Sequence, residues 1–120
     1  MKLEKEMYVR TKWGYICKII NINDFREPSM KYGVEASYLK DIMFIGDNDI
    51  SKASHNIIDL IEVGDYVNGV MVESMNNSIK PKPIPQYKNE YGEYVDFDES
   101  DIKSVSTKEQ FESMSYKIER

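Results

Sequence analysis

The side chains able to do chemistry fall into two runs and a few isolated positions. The first run is Tyr8, Arg10, Lys12, Trp13, Tyr15 and Lys18. Cations beside flat rings suit a nucleotide-like ligand, because Arg and Lys meet phosphate while rings stack on a base. On that reading Arg10 and Lys12 contact phosphate, Trp13 and Tyr15 stack, and Lys18 completes the ligand-binding face. The plainer reading is a solvated strand face with one aromatic covering the edge of a core. The second run is NEYGEYVDFDESD, holding Glu90, Glu93, Asp96, Asp98, Glu99 and Asp101 with no Lys or Arg between them, interleaved with Tyr91, Tyr94 and Phe97. Carboxylates alternating with rings can imitate the charge spacing of a nucleic-acid backbone and dock in a basic groove. Tyr91, Tyr94, Asp96, Asp98 and Glu99 are the partner-binding candidates there. The plainer reading is a solubilising hairpin.

The isolated positions carry less. His55 is the one histidine, so no His-based metal cluster forms within a chain, and a Cys-His nucleophile would need Cys17 to meet it. Cys17 lies in a strand pattern, where a buried small thiol is the ordinary state. Asp47-Asn48-Asp49-Ile50-Ser51 opens like a calcium loop, but Lys52 stands where that loop needs Gly and Ile58 where it needs Glu. Asp47 and Asp49 are therefore read as turn formers. Gly64 and Gly69 lack both dinucleotide spacing and a following Gly-Lys-Ser/Thr, and read as turns. No catalytic residue, metal ligand or cofactor is expected, and dispersed carboxylates cannot be paired into acid and base without the fold.

The elements that must position these residues read as mainly β. Tyr8–Lys12 and Tyr15–Ile20 flank Trp13-Gly14 as a first hairpin, with Val9 and Thr11 on one face and Tyr8, Arg10 and Lys12 on the other. Asn23–Gly33 reads as an exposed loop, Glu35–Leu39 as strand or helical turn, and Asp41–Ile45 as a short strand. His55–Val72 is the densest apolar stretch. Asn56–Ile61 reads as one helical or 3-10 turn docked by aliphatics, and Asn68-Gly69 as a type I′ hairpin, since both residues tolerate positive φ. Residues 76–86, with Pro81, Pro83 and Pro85, read as an extended surface connection that excludes a central strand. Tyr87–Phe97 is a further hairpin around Tyr91-Gly92, and Ile102–Ser106 a strand. Thr107-Lys108-Glu109-Gln110 has the capping-box pattern, so a short helix begins there, with Phe111 and Met114 facing the core. A closing strand follows over Ser115–Ile118.

The expected fold is one small antiparallel β domain over residues 1–120, with six to eight strands and one short C-terminal helix. A partly closed SH3-like barrel suits the spacing, and an α+β sandwich is the alternative. A chain of 120 residues is enough for one core, and folding would bury roughly two-thirds of its unfolded surface. A formal net charge of −5 argues against direct binding to nucleic acid or an anionic membrane. One cysteine excludes an intrachain disulfide, and no window approaches a membrane span or a signal sequence, so a cytoplasmic setting is expected.

Three stretches, YVRTKWGYICKI, ISKASHNIIDLIEVGDYVNG and SVSTKEQFESMSYKI, resemble small accessory proteins that recur in phages and prophages of low-GC Gram-positive bacteria. They cover somewhat under half the chain. The resemblance implies a phage accessory protein of a kind that often counters host defence, and it carries no catalytic residues. Together with the first run, it leads to a non-enzymatic protein that sequesters a nucleotide-derived immune signal, acting in the host cytoplasm and with a site shared between protomers as one form. One alternative uses the second run as a nucleic-acid mimic that occupies a CRISPR effector or another nucleic-acid-binding protein. Another is a structural or regulatory phage module that binds a protein through its loops.

Overall fold

A computed structural model of the chain describes residues 2–36, 39–78 and 82–110. The fold is mainly β, built from antiparallel sheets with one short C-terminal helix. Eleven short strands occur among the described residues, more than the six to eight expected. The chain forms two compact units, residues 1–60 and 61–120. The stretch from His55 to Val72 therefore supplies the end of the first unit and the start of the second.

The first unit is a five-stranded sheet in the order β4-β3-β2-β1-β5, with β1 Tyr8–Thr11, β2 Ile16–Ile22, β3 Tyr32–Glu35, β4 Met43–Ile45 and β5 Ile50–Ser54. Alternation puts Val9, Cys17, Ile19, Tyr32, Val34 and Ile45 on one face, and with Met7 they form the buried core. The first hairpin is as expected: Tyr8 faces Lys18, Val9 faces Cys17 and Arg10 faces Ile16. The chain then crosses from edge strand β4 to the opposite edge strand β5 through residues 46–49, which include a 3-10 turn at Asp47–Asp49. In a flat sheet those edges would lie about 19 Å apart, four strand spacings. A link containing a 3-10 turn, rising about 2 Å per residue there, falls well short of that, so the sheet must curl. Gly46 is needed in this link, because a Cβ there would lie 2.3 Å from the Pro28 carbonyl oxygen and 2.8 Å from the Ser29 Cα. Asp49 accepts from the Gly46 N–H at 2.9 Å, and Asp47 accepts from the Tyr32 hydroxyl at 2.7 Å, so both acids brace the turn as expected.

Boundaries move around β3. The expected loop over Asn23–Gly33 is exposed over residues 24–30, but Tyr32 and Gly33 open β3, because Tyr32 is buried in the core. Of the undecided stretch Glu35–Leu39, Glu35 ends β3, and residues 37 and 38 lie outside the described residues. The aliphatic turn appears as a 3-10 turn over Ile57–Leu60, with Leu60 buried. The Ser54 hydroxyl begins it by accepting from the Asn56 N–H at 3.1 Å.

The second unit holds two three-stranded sheets. In β11-β6-β7, Tyr66–Val67 (β6) pairs with Val70–Met71 (β7) across Asn68-Gly69 and with Val105–Ser106 (β11). Asn68 at φ 52° and Gly69 at φ 82° make the type I′ turn expected from the sequence. Only the end of the expected strand Ile102–Ser106 is extended pairing. The preceding residues are held instead by the Asn68 side chain, which accepts from the N–H groups of Lys103 and Ser104 and donates to the Asp101 carbonyl. Asp65 is buried and accepts from the Glu62 N–H at 2.7 Å and the Lys108 N–H at 2.9 Å, tying the corner to the start of the helix. The capping box is present: the Thr107 hydroxyl accepts from the Gln110 N–H at 3.2 Å, and the Gln110 side chain accepts from the Thr107 N–H at 3.3 Å. Phe111, Met114 and the closing strand over Ser115–Ile118 lie outside the described residues.

The other sheet runs β10-β9-β8, with β8 Ser74–Asn76, β9 Ile84–Lys88 and β10 Tyr94–Asp96. This corrects the expectation that the prolines exclude a central strand. Pro85 sits within β9, between two partners, opposite Met75. Its backbone faces Phe97, one residue beyond the end of β10, where the Pro85 carbonyl accepts from the Phe97 N–H at 2.9 Å. The missing N–H thus falls at the last pair of the ladder, where only one of the two possible bonds is made. Among the described residues no helix is long and apolar enough to cross a membrane.

Candidate functional site

The first hairpin tip is set by Thr11. Its N–H donates to the Tyr15 carbonyl at 2.8 Å, its carbonyl accepts from Gly14 at 3.0 Å, and its hydroxyl accepts from the Tyr15 N–H at 2.9 Å. Lys12 and Trp13 are thereby projected outward, with Trp13 44% exposed and its ring edge-on to Tyr15 at 6.4 Å. Trp13 and Tyr15 are brought together here, with exposed Lys12 beside them in the turn.

Arg10 and Lys18 are not available in the same way. Arg10 lies on the sheet face opposite the core, as the period predicts, but that face is not solvated there. The guanidinium is 1% exposed and Nη1 donates to the Leu60 carbonyl at 3.0 Å, beneath the Ile57–Leu60 turn. It serves the carbonyl end of that turn, where an orphan acceptor needs a donor. The expectation of a phosphate-facing Arg10 is corrected on this ground: no route from solvent reaches a group this buried. Lys18 faces Tyr8 across the strand pair, with Nζ 3.0 Å from Glu6 Oε2 and 5.7 Å from the Tyr8 ring centroid. The hydrogen bond and charge of Glu6 hold its ammonium above the usual lysine range.

The second hairpin is built on the same plan. Asn89 replaces Thr11: its N–H donates to the Glu93 carbonyl at 2.9 Å, and its Oδ1 accepts from the N–H groups of Tyr91 and Glu93, each at 2.9 Å. Tyr91 stands at the tip and is 79% exposed. Along β10, Tyr94 and Asp96 share a face with their cross-strand partners Lys88 and Gln86. Lys88 Nζ lies 5.9 Å from the Tyr94 ring centroid, while Asp96 accepts from Gln86 at 2.8 Å and from Asn76 at 3.2 Å. Phe97 points to the other face, where its ring centroid lies 4.9 Å from that of Tyr87. The rings of the run therefore divide: Tyr91 and Tyr94 face outward, whereas Phe97 is half-buried. Asp98 accepts from the Ser100 N–H at 3.0 Å and opens a 3-10 turn over Glu99–Asp101. Glu90, Glu93, Asp96, Asp98, Glu99 and Asp101 are all exposed.

Lys88, Gln86 and Asn76 belong to this surface, although the sequence did not single them out. Gln86 lies in the stretch read as an extended surface connection, and pairing through β9 is what brings it to Asp96. Cys17 is buried in the core of the first unit, whereas His55 is exposed and pairs with Glu4 Oε2 at 3.4 Å. Among the described residues, no group of three or more His, Cys, Asp or Glu side chains is placed to hold a metal ion. Comparison with protein families, with curated proteins and with solved structures finds no match to this chain.

Proposed function

We propose that this chain is a non-enzymatic, phage-type binding protein whose acidic–aromatic hairpin occupies a basic, nucleic-acid-binding surface of a host defence protein and so blocks it. The observation that carries the reading is the exposure of every carboxylate from Glu90 to Asp101 around outward-facing Tyr91 and Tyr94. Exposed aromatics anchor interfaces, and clustered charge of one sign steers a partner of the other. The phage assignment rests on the sequence resemblance. We read the first unit as an SH3-like barrel left open between β4 and β5, a reading supported by the strand order and the short link between opposite edges.

The test uses a lysine-rich peptide as the basic probe, with the wild-type chain and the combined variant Asp96→Asn, Asp98→Asn and Glu99→Gln. The amides keep the shape of the side chains that hold Gln86 and Ser100. A loss of about tenfold in affinity at low salt supports the reading, and unchanged affinity overturns it.

A second reading keeps a nucleotide-derived signal as ligand, favoured by the exposed Trp13 beside Lys12. Without Arg10, that site reduces to Lys12, Trp13 and Tyr15, with Lys18 held by Glu6. Calorimetry with cyclic oligonucleotides and ADP-ribose-type compounds tests it: heat that disappears in Trp13→Ala supports it, and no heat from any of them ends it.

A further inference from the structure

β10 is an edge strand, and its register fixes which backbone groups are left over. Asn89 bonds Glu93, and Pro85 accepts from Phe97, so the bonded pairs of this hairpin are the odd-numbered residues of β10 and its flanks. In an antiparallel pair, bonded and non-bonded positions alternate. Tyr94 and Asp96 therefore turn their N–H and C=O groups away from β9, toward the open edge, where they have no partner among the described residues. That edge runs beside the exposed Tyr91 and Tyr94 rings and the exposed carboxylates of Glu93, Asp96 and Asp98.

We infer that the partner docks by adding an extended, lysine- or arginine-rich segment as a further strand along the β10 edge. The inference rests on the reading of the acidic hairpin given above and adds the geometry of docking. Main-chain bonds to Tyr94 and Asp96 would give register, while carboxylates beside them select the charge of the incoming strand. A second copy of the chain is the wrong occupant. It would lay Glu93, Asp96 and Asp98 alongside the same three residues of a chain whose formal net charge is already −5. Charges placed on an edge also serve to prevent unwanted pairing. That alternative makes the opposite forecast for a basic strand, because a merely blunted edge gains nothing from a partner's backbone.

Two extended peptides of alternating lysine and threonine serve as probes. They are identical except that one is N-methylated at alternate residues, which removes its donors on one edge and leaves its charge. The expected result is that the methylated peptide binds at least about tenfold more weakly. Amide hydrogen exchange on the intact protein gives the second readout. The Tyr94 and Asp96 amides are expected to exchange freely alone and to slow on adding the unmethylated peptide. Equal binding of both peptides, with no new protection at these two amides, overturns strand addition and leaves the charge reading standing. Failure of both peptides to bind overturns the two together.

Discussion

At the scale of single residues, the chain separates charges that are spent on structure from charges that are offered to solvent. Arg10 and Lys12 are two positions apart in one strand pattern, and their types suggest the same task. Arg10 is enclosed and bonded to Leu60, whereas Lys12 is exposed at a turn. Arg10→Ala removes the donor from a buried carbonyl and leaves a void, so it is expected to cost about 3 kcal/mol. Lys12→Ala is expected to stay within about 0.5 kcal/mol. Urea unfolding of both variants measures the difference. Tyr32 gives a pH signature. Burial first, then the hydrogen bond to Asp47 and the charges of Asp47 and Asp24, push its hydroxyl up to about 12. Because the folded value lies above the unfolded one, near 10, the neutral phenol stabilises the fold fully below pH 10. That contribution fades as pH rises from about 10 to about 12. Tyr32→Phe is expected to lower stability by about 1 kcal/mol at neutral pH. It should also flatten this part of the alkaline decline, as read from denaturant midpoints at pH 8 and pH 11.

At the scale of elements, turns were the most legible part of the sequence, because their signals are local. Asn68-Gly69, the Trp13-Gly14 and Tyr91-Gly92 hairpins and the Thr107–Gln110 capping box each depend on residues within five positions, and each forms as read. What could not be read depends on partners far along the chain. The 3-10 turn that covers Arg10 is fifty residues away from it. Pro85 fits in a central strand because its missing donor falls at the end of the β9–β10 ladder. The mixed pattern of Ile50–Ser54 gave no strand signal, since its identity comes from pairing with β1. The candidate surfaces followed the same rule. Both hairpin tips were legible, while the inward turn of Phe97 and the contribution of Gln86 came from register across strands. Asn68 combines a local role with a distant one: it makes the turn and also clamps residues 101–104. Asn68→Gly keeps a residue that accepts positive φ and deletes the clamp. It is expected to cost about 1 kcal/mol and to raise amide exchange at Lys103 and Ser104, while Gly69 and Val70 change little.

At the scale of the whole molecule, charge is distributed unevenly between the two hairpins. The formal net charge of −5 is one ground for proposing a basic partner rather than nucleic acid. The two hairpins share one construction, yet one tip offers Lys12 beside Trp13 and the other offers Tyr91 between Glu90 and Glu93. Only the second continues into further exposed carboxylates, through Asp96, Asp98, Glu99 and Asp101. A docking reaction driven by that run must weaken as salt screens it. The most direct test is a salt titration of affinity for the lysine-rich peptide, run on the wild-type chain, on the Asp96→Asn, Asp98→Asn, Glu99→Gln variant and on Trp13→Ala. The expected result is a steep loss of affinity with salt for the wild type and for Trp13→Ala alike, with a much shallower slope for the acidic variant. Affinity that ignores salt, or a loss in Trp13→Ala that matches the loss in the acidic variant, would contradict the assignment of binding to the Glu90–Asp101 hairpin.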